Sequence, residues 1–247
     1  MNELTIASCF FNTPELLEPL LQSFFKHHKK NHPHFLFMDN STDDKTSNIL
    51  KNYSFDYVKN PGMTHHEAVN QIFDIVKTRY LLLVDSDIIF KSNIEKLFEK
   101  FKSSGSTIGG EIQGSRGGFD IKDRIVPWFC FIDLQTINEE GIRFFVPEKH
   151  DFHTEWNEPN RIALRQGKVN YDVGSEFYEA VTKKGHFAYS LNTNQCSNYY
   201  LHFEGMSWRK DDKNLHYVQM AKEVHRKYEA YCRAHSLSSV IIKGKLK

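Results

Sequence analysis

The sequence predicts an α/β fold, a Rossmann-like and mostly parallel sheet flanked by helices, continued by an irregular C-terminal half. Three observations predict it. β-rich runs alternate with helix-period runs through the first third of the chain in the order β-α-β-α-β-α-β. One run, residues 80–84, is apolar throughout, as befits a strand buried on both faces of a parallel sheet. Polar residues follow the strands, Asn12 the first, Asp39 the second and Asp85-Ser86-Asp87 the fourth. That is the edge where open α/β sheets bind ligands.

The first strand is expected over 4–10. Thr13-Pro14-Glu15 reads as a helix start, with Thr13 as cap and Pro14 at the first helical position. Leu16, Leu17, Leu20, Leu21, Phe24 and Phe25 then recur every three or four residues, the apolar stripe of a helix lying on a sheet. A strand over 35–38, a polar turn over 39–44, a helix over 45–50 and a strand over 55–58 follow. Asn60-Pro61-Gly62 has turn chemistry, and a helix over 64–76 leads into the apolar strand. Beyond residue 100 the pattern loosens. Gly109, Gly110, Gly114, Gly117 and Gly118 read as a flexible glycine-dense segment, and aromatics gather at Trp128, Phe129, Phe131, Phe144, Phe145, Phe152 and Trp156. A helix over 172–183, a last strand over 199–203 and a basic helix over 215–235 complete the reading. The halves divide at 1–110 and 111–247 within a single domain.

Thirty-two Lys and Arg balance 31 Asp and Glu, for a formal charge of +1 in 247 residues. No basic excess supports a grip on nucleic acid. No apolar run approaches the ~20 residues of a membrane span, and the N-terminus lacks the basic and apolar regions of a signal peptide; a cytoplasmic protein is expected. The four cysteines (Cys9, Cys130, Cys196, Cys232) are too scattered for a disulfide framework or a zinc knuckle. Neither a P-loop nor a G-x-G-x-x-G follows the first strand. His66-Glu67-Ala68-Val69-Asn70 carries Asn70 where a zinc-protease helix needs its second histidine. What remains is the carboxylate pair Asp85 and Asp87 at a strand end, hard oxygen ligands suited to Mg²⁺ or Mn²⁺ shared with a substrate's phosphates.

At this point the chain resembles the family-2 glycosyltransferases of the GT-A fold. The resemblance rests on Thr5-Ile6-Ala7-Ser8-Cys9-Phe10-Phe11-Asn12, the turn Asp39-Asn40-Ser41-Thr42-Asp43-Asp44, Asn60-Pro61-Gly62 with Ala68 and Asn70, and Asp85-Ser86-Asp87, in that order. It implies that 1–110 is the nucleotide-sugar-binding half and 111–247 the acceptor-binding and catalytic half. Asp39 would accept a hydrogen bond from uracil, although such a residue can equally close its own loop as an Asx-turn. Asn12, Asn60, Gly62 and Asp85 would line the nucleotide, and Asp87 would ligate Mn²⁺ or Mg²⁺. Further on, His202 within Tyr199-Tyr200-Leu201-His202-Phe203-Glu204-Gly205 resembles the late histidine that completes the metal site. Asp172, with Glu176 second, would be the base on the acceptor hydroxyl. Asp172 would otherwise simply cap the next helix. Trp128 and Trp156 would shape the acceptor site.

The function expected is an inverting, metal-dependent transfer from a UDP-sugar to a glycan or lipid-linked glycan acceptor, in microbial surface polysaccharide synthesis. Basic residues of the C-terminal segment (Lys222, Arg226, Lys227, Arg233) would allow peripheral contact with an anionic membrane, although a solvated basic face is the ordinary reading. No surface stripe assigns an oligomeric state. A sugar-phosphate nucleotidyltransferase would need a glycine-rich basic loop where Asn12-Thr13-Pro14-Glu15 stands. An inactive GT-A domain that only binds sugar or a partner is the rival from another class.

Overall fold

A computed structural model describes residues 1–30, 32–53, 55–114, 123–145, 173–206 and 215–237. Its strands are β1 (Leu4–Phe10), β2 (His34–Asp39), β3 (Asp56–Lys59), β4 (Tyr80–Asp85), β5 (Ile88–Phe90), β6 (Ile108–Gln113), β7 (Arg124–Asp133), β8 (Ala188–Leu191) and β9 (Tyr200–His202). The helices are α1 (Leu17–His27), α2 (Lys45–Tyr53), α3 (His65–Ile75), α4 (Glu95–Ser103), α5 (Leu134–Glu139), α6 (Ser175–Lys183), α7 (Thr193–Cys196) and α8 (Leu215–Ala234). Seven strands form one sheet in the order β3-β2-β1-β4-β7-β6-β8, and β5 pairs with β9 in a ribbon of its own. Only β7 runs against the others.

Strand alternation explains the two-sided core. Ile6, Phe10, Phe35, Phe37, Leu82, Val84, Phe129 and Phe131 face the side covered by α1 and α4. Ala7, Leu36, Met38, Leu81, Leu83, Cys130 and Ile132 face the side covered by α3, α5 and α6. Successive residues of β4 thus enter opposite cores, so no position of that strand can be polar until Asp85.

Two expectations are corrected. Pro14–Leu16 is a 3-10 turn ahead of α1, and Thr13 makes no side-chain cap; its buried Oγ1 has no hydrogen-bond partner. The glycine-dense segment begins as a strand, β6, rather than a flexible link. Gly109 and Gly110 are there because a Cβ would come within 2.6 Å of the Phe101 ring and 2.8 Å of the Phe129 carbonyl oxygen. The aromatic run 128–131 belongs to β7, which lies between β4 and β6 and so carries the sheet from the first half of the chain into the second.

Candidate active site

β1, β2, β3 and β4 run parallel, so their last residues share one edge. β7 reaches the same edge with its first residues, because it is antiparallel to β4 and pairs Phe129 with Val84. This edge collects Asn12, Asp39, Asn60, Gly62, Asp85, Asp87 and Trp128. Two buried oxygens here, Thr13 Oγ1 and Asn40 Oδ1, have no hydrogen-bond partner. Buried polar groups are normally paired, so the cluster marks an edge built for a polar ligand.

Asp85 closes β4, and a two-residue turn brings Asp87 to the start of β5. The ribbon then supplies the third group. Ile88 pairs with His202, and Phe203 N donates to the Asp87 carbonyl at 3.1 Å. His202 Nε2 lies 3.2 Å from Asp87 Oδ1 and 3.6 Å from Asp85 Oδ2. Met206 N donates to Asp87 Oδ2 at 3.4 Å. All three candidate ligand atoms fall within 4.8 Å of one another. The Trp128 indole stacks on the His202 ring, centroids 4.7 Å apart at 25°, and the Arg124 guanidinium lies 5.4 Å over Trp128.

The electrostatics follow from burial. Burial disfavours a charged imidazole, yet the two carboxylates outweigh it and raise His202 to about 10. Burial pushes Asp87 above the usual carboxylate range, only partly offset by His202 and reinforced by the charge of Asp85. Asp85 pays the same burial penalty, but His202 and His65 hold it below that range. Two carboxylates facing one imidazole need a cation between them. A divalent ion fits that donor set, two carboxylates and one imidazole.

The remaining predicted residues lie along the same sheet edge, after β1, β2 and β3. Asp39 is completely buried. Its Oδ1 accepts from Ser41 N at 3.1 Å, and its Oδ2 accepts from Ser47 Oγ and from Lys59 Nζ, the latter at 3.1 Å. The bond from Ser41 N, two residues on, is that of an Asx-turn. Asn12 sits in the left-handed region at φ 52°, a conformation Asn tolerates better than most residues. Its N donates to Ser41 Oγ at 2.9 Å, and its Oδ1 accepts from Thr42 N and Thr42 Oγ1. Gly62 has φ 79° and donates its N–H to the Asn40 carbonyl. Asn60 Nδ2 donates to Gln71 Oε1.

Glu176 lies buried in the first turn of α6, which docks on β7, where a Cβ on Gly174 would stand 2.1 Å from the Ile125 carbonyl oxygen. Asp172 and Trp156 lie outside the described residues. Three residues with clear structural tasks had no such role in the sequence reading. Lys59 binds the 39–44 turn. Asn70 holds residues 144 and 145 through Oδ1, which accepts from both N–H groups, and Nδ2, which donates to the Phe145 carbonyl. Arg124 reaches Gln113 Oε1 at 2.9 Å. Only the charge of Lys59 at a strand end opposite Asp39 could have hinted at the first.

Residues 5–157 match the profile of the family described as glycosyl transferase family 2. Among solved structures, the chain is similar to a mannosyltransferase from Pyrobaculum calidifontis, in complex with GDP-Man and Mn²⁺, with 11% identity, a TM-score of 0.56, and 97% of this chain and 76% of that one covered. S. aureus TarS is a second similar structure, with 15% identity, a TM-score of 0.46, and coverage of 98% and 75%. No curated protein sequence matches.

Proposed function

The chain belongs to glycosyl transferase family 2 and has the GT-A fold, and on that footing we propose that it transfers a sugar from a UDP-sugar to a hydroxyl of a glycan or lipid-linked glycan, with inversion. The observation that carries this reading is the Asp85, Asp87 and His202 cluster at the carboxyl edge of the sheet, beside the turn that follows Asp39. Asp87 and His202, with Asp85, would hold Mn²⁺ or Mg²⁺. When bound, that ion supplies Lewis-acid neutralisation of charge on the leaving diphosphate.

The chain's own groups do the rest. The 39–44 turn, Asn12, Asn60 and Gly62 hold the nucleoside, and Asp85 orients the ribose side. Asp172, or Glu176 in its place, takes the proton from the acceptor hydroxyl as it attacks the anomeric carbon from the face opposite the diphosphate. Trp128 and Trp156 border the acceptor. Among the described residues no helix is long and apolar enough to cross a membrane. We place the enzyme at the cytoplasmic side of surface glycan synthesis, in peripheral contact with the membrane.

Calorimetric titration of UDP with Mn²⁺, and again with EDTA, tests the site. Micromolar, metal-dependent binding that disappears in Asp87→Ala is expected. A folded protein that binds GDP in place of UDP would move the donor class, and one that binds no nucleotide diphosphate would overturn the transferase reading. A donor panel with release of the diphosphate as readout then separates an active enzyme from an inactive sugar-binding domain.

A further inference from the structure

A series of side-chain contacts that ends on His202 starts from a buried carboxylate of β6. Glu111 is only 6% exposed, and its Oε1 accepts from Thr193 Oγ1 at 2.8 Å and from Gln113 Nε2 at 3.2 Å. Because the Gln113 amide turns its nitrogen to this carboxylate, its oxygen faces the other way. That oxygen accepts from Arg124 Nη2 at 2.9 Å, across the register that pairs Gln113 with Arg124. Arg124 Nη1 donates to the Val173 carbonyl, just ahead of α6, at 3.5 Å. The guanidinium, held at two points, lies 5.4 Å from the centroid of the Trp128 ring, and Trp128 stacks on His202. Thr193 opens α7, the helix that leads into β9. The series therefore both begins and ends on the segment that delivers His202.

We propose that Arg124 is a positioning residue for the metal ligand His202: anchored on Gln113 and the Val173 carbonyl, it limits the tilt of the Trp128 indole and, through the indole, the plane of the imidazole. The inference rests on the metal-site reading above. A flat cation is needed for this task. A guanidinium can lie over an indole while its edge N–H groups reach two acceptors, whereas an ammonium cannot keep both geometries at once. Arg124 acts entirely through Trp128 and touches no ligand. Without it, the indole keeps its contact with His202 but loses the group that restrains it from β6 and the start of α6.

The test compares the full-length wild-type protein with Arg124→Met, Arg124→Lys, Trp128→Leu and the Arg124→Met, Trp128→Leu double variant, with Gln113→Leu as the alternative should the Arg124 variants fold poorly. The first readout needs no metal: the His202 Hε1 resonance, which the ring current of Trp128 displaces, is followed by NMR in EDTA. Arg124→Met and Arg124→Lys should each move it part of the way towards its position in Trp128→Leu. The buried His28 should stay unmoved, whereas a general loss of structure would disturb both. The second readout is Mn²⁺ affinity by electron paramagnetic resonance. Both Arg124 variants should bind about threefold more weakly, short of the loss of about tenfold in Trp128→Leu, and the double variant should be no weaker than Trp128→Leu alone. A His202 resonance left at its wild-type position in Arg124→Met, wild-type behaviour of Arg124→Lys, or losses that multiply in the double variant would overturn the proposal. A wild-type protein that binds no Mn²⁺ would sink the metal reading, and the resonance would still decide the role of Arg124.

Discussion

At the scale of single residues, the site depends on how few groups share each burden. His202 is the imidazole within reach of both Asp85 and Asp87, and Trp128 is stacked flat on it. The stack fixes the ring plane, and with it the direction of Nε2, without contributing a ligand. Replacing Trp128 by Leu should therefore weaken Mn²⁺ about tenfold, in the range seen when groups that orient a metal ligand are lost, and an Mn²⁺ titration followed by electron paramagnetic resonance would detect it. Asp87→Asn should cost more, because it removes a charge from the most buried carboxylate of the cluster. Much of this site was legible in the sequence. Asp85 and Asp87 could be read from the apolar strand they follow, whereas His202 is reached only through the resemblance, and β5, the strand that brings it beside them, has no counterpart in the sequence reading. The tasks of Lys59 and Trp128 were not legible, since both depend on which strands become neighbours. Trp128 reaches His202 only because β7 runs antiparallel beside β4, a pairing that no local pattern announces.

At the scale of elements, the sequence reading succeeded where one period persisted. The strands from 4 to 85 and their helices were expected nearly in place, whereas β6 escaped because its glycines serve tight packing of one sheet layer on its neighbours and carry no pattern of their own. Gly174 makes the corresponding contact for α6. It combines φ 88° with an approach that a methyl group could not survive, so Gly174→Ala should destabilise the protein by about 3 kcal/mol or more, combining left-handed strain with displacement of β7. Chemical denaturation measures this directly. A second element junction depends on pH. His28 Nδ1 donates to the Phe24 carbonyl at 2.8 Å, and Nε2 accepts from Ile94 N at 2.9 Å. The ring is thereby fixed in its neutral form, joining the end of α1 to the start of α4. Burial, with charge from His27 and His32, lowers its pKa from 6.5 despite the Phe24 bond. The unfolded chain thus takes up this proton first as the solution is acidified. Stability contributed by His28 is complete above pH 6.5 and is lost as pH falls through the lowered value. His28→Ala should cost about 2 kcal/mol by stranding the Ile94 N–H, and should flatten the decline in melting temperature between pH 7 and pH 5.

At the scale of the whole molecule, one sheet carries both halves of the chain, so ligands at its edge bear on global stability. A metal that binds only the folded protein adds ~2.7 kcal/mol at a hundredfold excess over its dissociation constant. For a chain of this size that corresponds to a rise of roughly 5–10 °C in Tm. Mn²⁺ should produce that rise, EDTA should remove it, and Asp87→Ala should abolish it; an equal rise in the variant would place the ion elsewhere. The ribbon of β5 and β9 has a further consequence for how the protein is made. Met206 closes on Asp87 across 119 residues of chain, and His202 arrives on the same late strand. At ribosomal rates of ~5–20 residues per second, roughly 6–24 seconds separate the two during synthesis. For that interval the nascent chain carries the two acidic groups without the imidazole that completes their site. Competence to hold the proposed ion arrives only once β9 has been made, after the parallel strands have had time to pair.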